Sequence, residues 1–107
     1  MTLRQEKVGE LLKQLSAKFF AKEALPGTLV TVTNCEVGSD LKKATVLISV
    51  LPDAKEEEAL SLAKEKARDL RDFLKKNLKM KFLPAIEVKI DLGEKNRQLI
   101  EKLSNQE

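Results

Sequence analysis

The chain has 107 residues, 42% hydrophobic and 35% charged, with a formal net charge of +3. That length and balance predict one ordered domain over residues 1–107, built on one core, rather than a disordered tail. Histidine, tryptophan and tyrosine are absent and Cys35 is the single cysteine. The commonest general base, the commonest metal ligand and any internal disulfide are thereby removed together.

From about Thr2 to Lys22, Val8, Leu11, Leu12, Leu15 and Phe19 recur at helical spacing, predicting an amphipathic helix with one apolar stripe. The opening residues lead into this charged segment and do not read as a signal peptide. Ala24-Leu25-Pro26-Gly27 breaks the helix. Two strands follow, near Leu29–Val37 and Ala44–Leu51, joined by the turn Gly38-Ser39-Asp40-Leu41-Lys42-Lys43. In the second strand Ala44, Val46, Ile48 and Val50 alternate with Thr45, Leu47 and Ser49, so one face is nearly pure core. Cys35 reads as buried filler, and a lone cysteine fits a reducing cytoplasm.

Pro52-Asp53 closes the hairpin and offers a helix start. From Ala54 to about Lys79, Leu60, Ala63, Ala67, Leu70, Leu74 and Leu78 form the apolar stripe of a long helix. Glu56-Glu57-Glu58 lie at its positive end. Beyond Pro84, Ile86, Val88 and Ile90 alternate with Glu87, Lys89 and Asp91 as a third strand. Gly93 permits a turn into a short last helix carrying Leu99, Ile100 and Leu103. No run approaches the roughly 18 apolar residues of a membrane span. The order α-β-β-α-β-α predicts an α+β fold, a three-stranded sheet with helices on one face.

Between Lys64 and Lys89 nine basic residues face four acidic ones. Lys64, Arg68, Arg71, Lys75 and Lys79 recur every three or four residues as one basic stripe beside the apolar one, with Asp72 placed to pair with Arg68 and Lys76. The candidate RNA-binding set is Lys42, Lys43, Lys64, Arg68, Arg71, Lys75, Lys76, Lys79 and Lys81. Lysine and arginine in such a row neutralise backbone phosphates, and Arg68 and Arg71 could make bidentate contacts. Phe19, Phe73 and Phe82 have the context of core residues, so stacking on bases is poorly supplied and binding would be read through backbone and shape. Neither a phosphate loop, a zinc set nor a nucleophile arrangement is present, so no enzyme, metal, cofactor or small-molecule substrate is expected. The alternative is a protein-interaction module docking a partner strand or helix near Leu47 and Leu51.

In the hairpin, Val37, Ser39-Asp40-Leu41, Ala44, Val46 and Ser49-Val50 follow V-x-x-S-x-D-L-x-x-A-x-V-x-x-S-V in type and order, with Ser39 directly before Asp40. In this the chain resembles the ribosome-binding factor A family. The likeness continues through Leu70-Arg71, the basic run Lys75–Lys81, Leu83-Pro84, Asp91, Arg97-x-x-Ile100-x-x-Leu103, and Arg4 and Val8 in the first helix. The resemblance implies a KH-like fold of type II order, α-β-β-α-(α)-β, without the G-x-x-G loop, which this chain also lacks. It implies a non-catalytic factor, associated with cold adaptation, in late maturation of the small (30S) subunit and processing of its 16S rRNA. Such a factor binds near the decoding region and leaves as the subunit matures. Separately, no heptad seam or bare apolar helix demands a partner, so the chain is expected to be monomeric when free. The likeness stops short of the family's C-terminal extension, so no role of that tail is carried over. The family usually has an Ala-x-Gly kink between two helices, where this chain has Lys66-Ala67-Arg68. Either ordinary residues make the kink or one straighter helix runs from Ala54 to Lys79.

Overall fold

The protein is described by a computed structural model over residues 3–23, 26–80 and 82–104. In chain order it comprises α1 (Leu3–Lys22), β1 (Leu29–Val37), β2 (Lys43–Leu51), a 3-10 turn (Asp53–Lys55), α2 (Glu56–Glu65), α3 (Ala67–Asn77), β3 (Ala85–Ile90) and α4 (Leu92–Ser104). The sheet order is β1-β2-β3, with β1 antiparallel and β3 parallel to the central β2. This is the α-β-β-α-α-β order of a KH-like α+β fold, with α4 appended.

β2 follows its alternation closely: Ala44, Val46, Ile48 and Val50 are at most 3% exposed and face α1, α2 and α3. β1 does not alternate so simply. Its register with β2 slips between Val32 and Asn34, a bulge at Thr33. The extra residue changes the phase, so Val32 points inward before it and Cys35 and Val37 after it. Burial, with the Glu36 charge adding to it, pushes the Cys35 thiol up to about 11, so the side chain stays protonated filler, as expected.

α1 buries a stripe displaced from the one its leucines suggest. Gln5, Gly9, Leu12, Ser16, Phe19 and Phe20 are buried, whereas Leu11 is 49% exposed. At Gly9 the approach is close: a Cβ there would lie 3.2 Å from the Cys35 carbonyl oxygen, so α1 meets β1 at that point with little room for a side chain. Gln5 Nε2 donates to the Val37 carbonyl at 2.8 Å and joins helix to strand.

The long helix expected from Ala54 to Lys79 is two helices broken at Lys66. No glycine is involved. Lys66 takes φ −84 and ψ 0, a bridge conformation open to ordinary residues. Its N–H still reaches the Leu62 carbonyl and its carbonyl still accepts from Leu70. The bend lets Ala59 and Ala63 of α2 and Leu70 and Leu74 of α3 all reach the sheet. Lys66 Nζ also meets Glu23 Oε2 at 3.3 Å, tying the junction to the end of α1.

Gly93 lies inside α4 rather than in a turn before it. Asp91 caps that helix, its Oδ1 accepting from the Glu94 N–H at 2.9 Å. Its Oδ2 accepts from Thr33 Oγ1, so the cap rests on the β1 bulge.

Two outcomes follow from these contacts. Ser16 Oγ is buried and makes no hydrogen bond, so Ser16→Ala removes an unsatisfied group and improves helix propensity. It should raise the urea midpoint, with a gain of about 0.5–2 kcal/mol. The Thr33 hydroxyl first, and then the Glu94 N–H, hold the Asp91 carboxyl below its usual range. The stabilisation of such a depressed carboxylate is complete above its unfolded pKa and is lost as pH falls through the folded value. Asp91→Ala should therefore cost about 1 kcal/mol at neutral pH. The gap from wild type should shrink below about pH 4 in parallel urea titrations.

Candidate nucleic-acid interface

The hairpin turn is built by its own backbone. Gly38 N–H donates to the Lys43 carbonyl and Leu41 N–H to the Gly38 carbonyl, both at 2.9 Å. Asp40 Oδ1 accepts from the Lys42 N–H at 3.0 Å. Leu41 has φ +59, a left-handed conformation costing a branched side chain about 1–2 kcal/mol. Packing of its side chain against the core holds it there. Ala85 N–H then donates to the Lys42 carbonyl at 2.8 Å, fixing the start of β3 beside the turn.

α1 and α3 run antiparallel on the sheet. The Phe19 and Phe73 ring centroids are 5.7 Å apart, Glu23 meets Lys66 at one end, and Arg4 lies near Lys79 at the other. The start of α1, the hairpin turn, the end of α3 and the approach to β3 thus meet at one pole. They enclose an open groove of about 780 Å³, with Arg4, Lys42 and Lys79 among its lining and Leu41, Met80 and Phe82 supplying apolar surface.

The sequence-predicted cations do not share one surface. Lys42 and Lys79 line the groove, and exposed Lys43 begins β2 next to it. Arg68, Arg71 and Lys75 follow one flank of α3. Lys76 falls on the other flank with Asp69 and Asp72. Lys64 belongs to α2, across the break, so the continuous stripe expected from the sequence is interrupted. Lys81 lies outside the described residues. Arg71 is half-buried and Nη1 donates to the Pro84 carbonyl at 3.3 Å, a structural contact that competes with phosphate binding.

Among the described residues, Lys42, Lys43, Lys64, Arg68, Lys75, Lys76 and Lys79 make no ion pair within 4.0 Å. The expected pairing of Asp72 with Arg68 and Lys76 does not form. Sequence reasoning also missed three groove residues. Arg4 stood outside any basic run, and Met80 and Phe82 lie in a loop without periodicity. Phe82, expected in the core, is 77% exposed. No group of three His, Cys, Asp or Glu side chains among the described residues could hold a metal ion. No helix among them is long and apolar enough to cross a membrane.

A family profile described as Ribosome-binding factor A matches residues 4–104. The Ribosome-binding factor A of Bdellovibrio bacteriovorus is 36% identical over 77% of this chain and 61% of its own length. That of Macrococcus caseolyticus is 32% identical over 97% of each. The chain spans 61% of the length of the Bdellovibrio bacteriovorus and Phenylobacterium zucineum relatives. In fold it is similar to the crystal structure of ribosome-binding factor A from Thermus thermophilus, with a TM-score of 0.71 and 23% identity, covering 80% of this chain and 94% of that one. Coordinates of the Thermus thermophilus factor fitted into a cryo-EM map of a 30S–RbfA complex give a TM-score of 0.68 at 24% identity, covering 76% and 88%. With the profile spanning nearly the whole chain, the protein belongs to the ribosome-binding factor A family.

Proposed function

We propose that this protein is a non-catalytic, cytoplasmic assembly factor that binds the small ribosomal subunit and its 16S rRNA during late maturation and rRNA processing. Residues 1–107 act as one unit, monomeric when free. The observation that carries this reading is the gathering of Arg4, Lys42 and Lys79 around one groove at the hairpin pole, in a member of this family. Lys43 extends the cationic pole, and Arg68, Arg71 and Lys75 prolong it along α3. Lys64 and Lys76 lie off this track and act peripherally; Lys81, outside the described residues, is kept in the proposed RNA-binding set.

An interaction module has one observation in its favour. Leu29 and Leu51 pair in register at the sheet end and are 60% and 47% exposed. Docking there would be apolar and would survive salt that strips a phosphate-bound protein.

Co-sedimentation with separated ribosomal subunits across a salt series distinguishes the two. The wild type should pellet with the small subunit alone and be released as salt rises. Lys42→Glu combined with Lys79→Glu should weaken binding at least tenfold and lower the log–log salt slope by about one to two. Lys64→Glu should change little. Salt-resistant pelleting unaffected by the double reversal would assign the contact to the apolar surface instead.

A further inference from the structure

We infer that the groove beside the hairpin turn takes an unpaired RNA base stacked on Phe82, its flanking phosphates held by Arg4, Lys42 and Lys79. The inference deepens the proposed rRNA binding and rests on it. The starting point is an aromatic ring where a core residue was expected: Phe82 is 77% exposed and lines the groove beside Met80 and Leu41. Base–aromatic stacking is tolerant of sequence because every base has a π face. The surrounding cations supply the second half of nucleotide chemistry. Lys42 and Lys79 make no ion pair among the described residues. Asp40 is the carboxylate in the lining, and its Oδ1 is occupied by the Lys42 N–H.

The occupant follows from this pairing of apolar floor and cationic rim. An apolar peptide would cover Phe82 but leave the cations without counter-charge. A duplex would present phosphates, but its bases are already stacked on one another and do not reach the floor. Single-stranded RNA offers both, and a groove of about 780 Å³ lies within the roughly 300–1,000 Å³ of ordinary ligand clefts. Recognition is then by stacking and charge rather than by charge alone, contrary to the expectation from composition.

The chain contains neither tryptophan nor tyrosine, so Phe82→Trp places a single fluorescent reporter in the groove. Titration with a short oligouridylate should quench that fluorescence, whereas the same strand paired in a duplex should not. In the wild-type background, Phe82→Ala should weaken oligouridylate binding about tenfold with an unchanged salt slope. Phe82→Leu, which keeps apolar bulk without the ring, should weaken it similarly. Phe82 is exposed, so these variants are expected to fold, and urea midpoints equal to wild type check this. Unquenched fluorescence together with wild-type affinity in Phe82→Ala overturns the stacking site. If Lys42→Glu with Lys79→Glu still releases the small subunit in that case, rRNA binding stands without it. If the double reversal also has no effect, the proposed function fails too. Displacement of the RNA by an oligoglutamate peptide carrying leucines, with equal dependence on Phe82, would overturn the inference in favour of a protein partner.

Discussion

β2 is the constraint on which the rest of the structure depends. It is hydrogen-bonded on both edges, antiparallel to β1 and parallel to β3. An antiparallel neighbour can be reached by a tight turn, but a parallel one demands a crossover. α2 and α3 form that crossover and lie on the face where Ala44, Val46, Ile48 and Val50 are buried. Since α1 covers β1 on the same face, α1 and α3 must pack side by side. The groove then arises where β2 begins: the hairpin turn enters it, the start of β3 is bonded to that turn, and the ends of two helices close over it.

Charge is distributed to match. Ion pairs join Lys55 to Glu58, Lys66 to Glu23, Lys89 to Glu87, Lys95 to Glu56 and Arg97 to Glu94. These neutralise cations over α2, the α2–α3 junction, β3 and α4, and are individually worth little at the surface. None of them involves Lys42 or Lys79, which keep their charge at the groove. Although the net charge is only +3, the groove itself therefore presents positive charge to a polyanion.

Much of the fold could be read from the sequence because β2 and the apolar stripe of residues 60–78 obey simple periods. Other parts could not, for identifiable reasons. The buried stripe of α1 includes Gln5, Gly9 and Ser16, none of them a large apolar residue: Gln5 is held by its bond to the Val37 carbonyl, and Gly9 lies where the helix comes close to β1. The bulge at Thr33 shifts the alternation of β1 in mid-strand, and no glycine or proline marks it. The bend at Lys66 costs one residue in the bridge conformation and hardly disturbs the apolar spacing on either side, so the pattern looks continuous. For the candidate site, the cations were visible as residue types, but their partition between groove, α3 flank and periphery depends on that bend. Phe82 was misplaced because the path of a loop, rather than local propensity, decides its exposure.

The meeting of three chain segments at the hairpin pole has a thermodynamic consequence. Arg4, Lys42, Lys79 and Phe82 come from α1, the turn, and the residues beyond α3, so partial opening that detaches α1 or α3 dismantles the groove as well. Occupancy of such a site cannot be confined to stabilising one segment, because a ligand that binds the assembled pole disfavours every partly open form in proportion to its affinity. Bound protein would then exchange its amide hydrogens more slowly in α1, β2 and α3 together. Departure of the ligand would return all three to the looser opening equilibria of the free chain.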